Sequence, residues 1–289
     1  MNIVLGASGQ VGSAIVQFLS EKKVKVKAVV RNPEKADLFE KKGVEVAIAD
    51  YYDLPALQNA VKDGEQIFVI TPDTTTSNDI LGDTKKILEN YRKAIQNSGI
   101  KTIFGLSSGG AQYEKHERNT GNLLMSNMLE HEFISLSVNQ VFIRPSYFYS
   151  NWLLSLDMVK EKGILPSFFP ADLKFYMNSP IDVARFIADK MVEGAKKSEL
   201  IELVGPEKYS AKDVAAALSE NLGRKVTVQE IPRENWERTM NEMGFTEDVS
   251  KNFIKMTEVV ADGIASLEGD APVSLGTSLS EYIRENIKS

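Results

Sequence analysis

The sequence contains no cysteine, which excludes a disulfide framework, a thiolate nucleophile and any cysteine-ligated metal. It has only two histidines, His116 and His131. No carboxylate spacing around them suggests a ligand set, so each reads as a surface or helix-end residue and no metal site is expected. No basic block offsets a formal net charge of -6. The lysine-rich stretches at 21–27 and 40–42 are interleaved with acids or apolar residues, so a nucleic-acid backbone is not the expected partner. No apolar run approaches bilayer-spanning length, and a first strand starting at Asn2 leaves no room for a leader peptide. The expectation is a cytoplasmic protein without a membrane partner. Repeats and low-complexity tracts are also missing. What remains is a chain of 289 residues, 43% hydrophobic and 26% charged, enough for one large α/β domain with an appendage or for two domains sharing an interface.

Residues 1–31 organise the rest. Ile3, Val4 and Leu5 form a short apolar run, after which Gly6, Ala7, Ser8, Gly9, Gln10, Val11 and Gly12 place glycines three apart. Val11, Ala14, Ile15, Phe18 and Leu19 then follow in three- and four-residue steps, the stripe of a helix packed on a sheet. Residues 24–30 read as the next strand. A glycine turn between a buried strand and a helix lets the backbone approach a pyrophosphate, whose charge meets unpaired N–H groups at the helix start. The spacing is G-x-x-G-x-x-G rather than G-x-G-x-x-G, and a ligand-free tight turn would also use glycines. The setting within one βαβ unit favours the phosphate cradle. About twenty residues further on, an acidic side chain would take the ribose hydroxyls of NAD. Arg31 stands there instead, with Lys35 just beyond. A guanidinium fork suits a 2′-phosphate, so NADP(H) is expected over NAD(H); the alternative is a solvated arginine at a strand end.

The chain continues as helix 34–42, strand 44–49, helix 54–61, strand 66–70, helix 83–98, strand 101–106, helix 119–132 and strand 140–144. That alternation implies a doubly wound, parallel Rossmann sheet with right-handed crossovers. Ligands of such sheets gather at the carboxyl edge. There Asp50 could bond the adenine amino group while Tyr51 packs on the ring, or Asp53 could cap the next helix and the tyrosines cover the sheet edge. Thr71 and Pro72 open a polar loop placed to run along the nicotinamide half, and Ser107 opens the edge where reacting groups would lie. From Arg144 onward the loops are aromatic-rich, with Tyr147, Phe148, Trp152, Phe168, Phe169, Phe175 and Tyr176. They wall a pocket for a flat apolar molecule or form an interface between two lobes. Asp182 reads as the cap of a returning helix, and strand 200–204 is expected to rejoin the main sheet. Ser210 and Asp213 open a helix that runs through Leu222, and 226–231 is a short strand. The division expected is a dinucleotide-binding domain over 1–150 and a smaller, mostly helical substrate-side lobe over 151–289, with about 181–204 returning to the Rossmann sheet.

These features together resemble the NmrA-like group of atypical short-chain dehydrogenase/reductases. The matching stretches are 6–12, Arg31-Asn32-Pro33, Ile70-Thr71-Pro72, Ser107-Ser108-Gly109, 144–151, 179–184 and 210–226, and the likeness covers nearly the whole chain. It implies an NADPH-dependent reductase of quinones, azo compounds or phenylpropanoids, a regulator that binds the dinucleotide without turning it over, or a nucleotide-sugar epimerase. Ordinary short-chain dehydrogenases protonate a carbonyl with Tyr-x-x-x-Lys. None of the nine tyrosines here has a lysine four residues later, and Tyr113, the first after the serine edge, is followed by Glu117. The lysine position of the phenylpropanoid reductases falls at about Ser126, which carries no charge.

Three functions remain. A reductase of a quinone-like aromatic acceptor would align the ring with Thr71, Ser107, Tyr147 and Phe148, and Ser107 and Tyr147 are the candidates to meet the reacting atoms. A non-catalytic NADP(H) sensor would act through a protein partner. An epimerase ranks last, because it needs the missing acid–base pair.

Overall fold

The computed structural model describes residues 1–71, 74–116, 120–264 and 267–287, without the side chains of 114–116. The first half alternates strand and helix: β1 (Asn2–Val4), α1 (Gln10–Glu21), β2 (Val26–Val30), α2 (Asp37–Glu40), β3 (Glu45–Ile48), α3 (Leu54–Val61), β4 (Gln66–Ile70), α4 (Ile80–Gln96), β5 (Thr102–Leu106), α5 (Asn122–Glu132) and β6 (Asn139–Pro145). There follow β7 (Tyr147–Phe148), α6 (Ser150–Leu153), α7 (Leu156–Lys162), β8 (Ile164–Ser167), β9 (Phe175–Asn178), α8 (Pro180–Glu193), β10 (Glu199–Val204), β11 (Lys208–Tyr209), α9 (Ala211–Leu222) and β12 (Thr227–Glu230). The chain ends with α10 (Trp236–Glu242), α11 (Glu247–Ala261), β13 (Val273–Ser274) and α12 (Leu279–Asn286).

Eight strands form one sheet in the order β13-β10-β6-β5-β4-β1-β2-β3, and every neighbouring pair is parallel. This is the doubly wound arrangement, with its switch point between β1 and β4. Strands covered on both faces are apolar throughout. Val4, Phe68 and Phe104 join the core beneath α1 and α8, while Ile3, Ile67 and Val69 join the core beneath α3, α4 and α5. The α1 stripe read from the sequence, Val11, Ala14, Ile15, Phe18 and Leu19, is buried as expected. Arg185 of α8 stacks over Phe18 with its guanidinium carbon 4.2 Å from the ring centre. Strand 200–204 does rejoin the sheet, as β10 beside β6.

A third core holds the other lobe together around Trp152, Phe169, Met177, Leu218, Trp236 and Tyr282. That lobe is less purely helical than expected. It also contains a three-stranded sheet, β11-β9-β7, and a parallel pair, β12-β8. Among the described residues no helix is long and apolar enough to cross a membrane, and no group of three or more His, Asp or Glu side chains could hold a metal ion.

Several boundaries differ from those read in the sequence. The helix expected over 34–42 splits into a 3₁₀ turn, Pro33–Lys35, and the short α2, because the Asn32 side chain accepts the Glu34 N–H at 2.9 Å and starts a tight turn of its own. The fourth helix begins three residues early, since Asp79 caps it through the Gly82 N–H. The cap of α8 is Ser179, which accepts from Ile181 and Asp182. Asp182 instead accepts the Thr277 N–H at 3.0 Å. The helix expected from 119 starts at Asn122, after Gly121 at φ +59°.

Candidate functional site

The switch point puts the ends of β1 and β4 side by side, and the glycine turn leaves β1 there. Gly6 takes φ +65°, and a β-carbon on it would approach Ile70 Cγ2 to 2.9 Å. The turn closes with the Gly9 N–H on the Gly6 carbonyl at 2.9 Å. At Gly12 a β-carbon would come within 2.2 Å of the Gly6 oxygen, so only glycine lets α1 pack this tightly against the turn. Gly9 precedes α1 without any side-chain cap, and no acid stands in the first helical turn. The leading amides of an α-helix have no partner within it. Here they face an exposed turn, with Ser8, Gly9 and Gln10 open to solvent and Ala7, Val11 and Gly12 buried beneath. Gln10 accepts a hydrogen bond from Ser150 of α6 at 3.1 Å, which ties the turn to the other lobe. These residues fit a diphosphate: the backbone approaches closely, and the uncapped amides sit at the positive end of a helix dipole.

Tyr51 departs from the expectation. Only 3% exposed, it lies beneath the turn rather than where an adenine could stack on it. Its hydroxyl accepts the Gly6 N–H at 2.6 Å, so that amide is engaged within the protein rather than free for a phosphate. The ring meets Tyr91 edge-on, with centroids 5.3 Å apart. Burial is the chief reason the Tyr51 hydroxyl is pushed above its ordinary pKa, against the bond from Gly6 and the nearby Arg31 charge. Arg31 is exposed, with its guanidinium carbon 5.3 Å from the Tyr51 ring centre. Among the described residues this cation has no ion pair, and it stands beside the turn, supported from below by an aromatic face. Asp50 is exposed and accepts the Tyr52 N–H at 2.8 Å. Asp53 caps α3 through the Ala56 N–H at 3.0 Å, as the plainer reading of this stretch had it.

Thr71 follows β4 and is half-buried, whereas Pro72 and the side chain of His116 lie outside the described residues. From Thr75 to Ile80 the chain is held by the other lobe. Thr246 donates from its amide to the Thr75 carbonyl at 2.9 Å and from its hydroxyl to the Ser77 carbonyl. Asp248 accepts the Ile80 N–H at 2.8 Å. Histidine 131 sits at the end of α5, its Nδ1 2.8 Å from the Asn127 carbonyl.

Ser107 follows β5 and is 6% exposed. The serine edge runs along β6, through the Ser107 N–H on Ile143 at 2.8 Å and the Gly109 N–H on Pro145 at 2.9 Å, towards Tyr147. Tyr113 is engaged, donating its hydroxyl to the Ile264 carbonyl at 2.6 Å. Tyr147 is half-buried. It packs edge-on against Trp152 at 6.0 Å, and against Phe169 and Phe175 at 5.5 Å each. Desolvation pushes its hydroxyl well above the ordinary range, despite a bond with Asn151, so its proton is harder to lose than an ordinary phenol's. Trp152 and Phe169 are core residues of the lobe itself, neither a pocket wall nor an interface between the two lobes. Tyr147, Phe148, Phe168 and Phe175 keep partly exposed faces.

Sequence reasoning missed two partners. One is Tyr91, which donates to the Ile70 carbonyl at 3.4 Å while supporting Tyr51. The other is Glu130, which accepts from the Ser107 hydroxyl at 2.5 Å. A lone glutamate near a helix end carries no sequence signal for such a role.

The family model described as NmrA-like matches residues 2–283. NAD(P)H azoreductase from Xenophilus azovorans is 26% identical over 251 residues, spanning 86% of this chain and 84% of that protein. Quinone oxidoreductase 2 from Escherichia coli (strain K12) is 24% identical over 252 residues, again spanning 86% and 84%. The solved structure of Citrobacter sp. triphenylmethane reductase superposes with a TM-score of 0.84 at 23% identity, covering 100% of this chain and 99% of that one. At that identity the structural likeness is one of fold.

Proposed function

The chain belongs to the NmrA-like family, and from that premise we propose that it is an NADP(H)-dependent reductase of a flat, electrophilic aromatic acceptor of the quinone or dye type. The observation that carries the reading is the uncapped, glycine-lined start of α1 at the sheet's switch point, with the exposed Arg31 beside it. Residues 6–12 would hold the diphosphate, chiefly through the amides at the start of α1. Arg31 would hold the 2′-phosphate, with Asp50 at the adenine and Thr71 and Ser107 along the nicotinamide half. When bound, a reduced nicotinamide supplies hydride, and the protein's task is to place it. The relatives named for azo and quinone reduction support the acceptor class.

An acceptor whose added charge spreads over an aromatic ring calls for alignment more than for a strong acid. Alignment would come from Tyr147 and Phe148 past the serine edge, whose faces are partly exposed. The chain offers little acid: burial makes Tyr147 a weaker acid than an ordinary phenol and the Ser107 proton is held by Glu130. Solvent then supplies any proton the product needs. The same shortage favours one competing reading, a regulator that binds NADP(H) without turning it over and signals to a protein partner.

The test is a fluorescence titration with NADPH and NADH, followed by NADPH oxidation across a panel of quinones, azo dyes and triphenylmethane dyes. Tighter binding of NADPH and turnover of at least one acceptor class are expected. Equal affinity, or tighter NADH, would end the argument from Arg31. Binding without turnover across the panel would replace the reductase by the regulator.

A further inference from the structure

Ser107 is fixed by more than the sheet. Its Oγ donates to Glu130 Oε1 at 2.5 Å, and Glu130, 8% exposed, is gripped in turn by Arg144. The grip is two-pronged, with Nε 2.7 Å from Oε1 and Nη2 2.7 Å from Oε2. Arg144 is 2% exposed, and its Nη1 reaches Glu268 Oε2 at 2.5 Å. Burial works against the arginine's charge, but the bonds it donates to Glu130 and Glu268 outweigh it and raise its pKa. The serine follows β5, the glutamate is on α5 and the arginine on β6, so three elements converge on one hydroxyl. A fork-to-carboxylate pair of this geometry leaves the carboxylate little freedom to rotate.

A serine hydroxyl has one hydrogen and two lone pairs, and an ionised carboxylate only accepts. With its hydrogen committed to Glu130, Ser107 can offer a ligand only its lone pairs. We infer that Glu130 is a positioning residue that makes Ser107 a fixed hydrogen-bond acceptor for the nicotinamide end of the dinucleotide. The donor which that end carries is the carboxamide N–H₂, so the pair sets which way the ring lies. The inference rests on the NADP(H) site proposed above, in which Ser107 stands at the same sheet edge as the glycine turn. It separates two roles that the sequence left merged at Ser107: orienting a ligand, which the geometry supports, and donating a proton, which it opposes.

The experiment compares two ligands on the full-length chain by calorimetric titration: NADPH, and 2′-phosphoadenosine diphosphoribose, which lacks only the nicotinamide ring. Ser107→Ala and Glu130→Gln are each expected to weaken NADPH about fivefold, the size of one ordinary hydrogen bond, and to leave the truncated ligand unchanged. Because Glu130 acts through Ser107, the double variant should bind NADPH no more weakly than Ser107→Ala alone. A loss shared equally by both ligands, or losses that multiply in the double variant, would mark Glu130 as a structural residue and overturn the inference. If Glu130→Gln does not fold, Ser107→Ala decides alone, since it leaves the ion pair intact: an unchanged ratio of the two affinities overturns the inference. Failure of the unsubstituted chain to bind either ligand would overturn the proposed function and this inference together, whereas binding without ligand-selective loss in the variants overturns the inference alone.

Discussion

The Tyr51 hydroxyl accepts the Gly6 N–H at 2.6 Å, so a residue from the loop after β3 holds the first glycine of the turn. The same ring rests edge-on against Tyr91 of α4 and lies 5.3 Å from the Arg31 guanidinium carbon. One side chain thereby joins the turn, the helix wall behind it and the cation beside it. Tyr51→Phe keeps the ring and removes the acceptor. An amide left without a partner costs about 1–3 kcal/mol, and the expected reading is a lower urea midpoint at unchanged slope. A midpoint equal to that of the unsubstituted protein would show that the bond contributes nothing.

Gly12 and Gly9 should respond differently to alanine. A β-carbon at Gly12 would fall 2.2 Å from the Gly6 oxygen and 2.8 Å from its carbon, both backbone atoms. At Gly9 the nearest atom is the Gly6 oxygen at 3.3 Å. Gly12→Ala is expected to lower stability by about 1–3 kcal/mol, typical of overpacking, and to abolish dinucleotide binding, while Gly9→Ala loses less of each. Thermal melts and NADPH titration of the pair check the order.

Arg31→Ala removes an exposed charge whose packing partner is the Tyr51 face. Surface replacements of this kind change stability by about 0.5 kcal/mol or less, so the melting temperature should hardly move. NADPH affinity is expected to fall about tenfold or more with NADH affinity unchanged, as befits a charge-assisted bond to a 2′-phosphate. Parallel losses for both dinucleotides would move the 2′-phosphate site elsewhere.

Alkaline pH should destabilise the fold through its buried phenols. Burial is the main cause that raises Tyr51, Tyr91 and Tyr147 above the ordinary value. A folded-state pKa above the unfolded one gives stability that is complete below the unfolded value, about 10, and is lost as pH rises through the folded values. Urea midpoints should therefore be flat near pH 8 to 9 and fall beyond about 10. Tyr91→Phe should make that fall shallower. The exposed Tyr52, pushed to about 12 by burial and its bond to Asp83, should matter least because solvent screens it.

Glu202 is 7% exposed and accepts two backbone amides, Glu268 at 2.9 Å and Gly269 at 2.8 Å. It pairs in register with Arg144 on the neighbouring strand, so the segment it clasps is the one that brings Glu268 to Arg144. Glu202→Ala strips both amides of their acceptor, and a loss of about 2 kcal/mol or more is expected. Limited proteolysis should then cut near 267–270 faster than elsewhere. An unchanged cleavage pattern would show that the Arg144 to Glu268 contact holds the segment by itself.

The parts of this molecule that were legible in the sequence are those written in short-range periodicity. The stripe at Val11, Ala14, Ile15, Phe18 and Leu19 foretold the buried face of α1, and Ser210 with Asp213 foretold a capping box that the structure contains. Local competition blurred what was nearly legible. Asn32 and Ser179 took over helix starts because their side chains reach backbone amides two and three residues on. The contacts that shape the candidate site span 45 residues from Gly6 to Tyr51 and 23 from Ser107 to Glu130. No spacing rule encodes such pairings, because they depend on which strands end side by side. For that reason Tyr51 read as a platform for the adenine or a cover for the sheet edge, and Glu130 was not singled out.

The strand order has a consequence for how the molecule can be divided. After β6 the chain builds the second lobe, returns to lay β10 beside β6, leaves again through α9, α10 and α11, and returns once more to add β13 outside β10. One edge of the fabric is thus sewn by thread that runs through both lobes. Cutting the chain after residue 150 would strip β6 of its neighbour and bare a row of unpaired backbone groups, the template on which chains stick to one another. Neither half is expected to be obtained soluble by itself, and the two should melt in one transition.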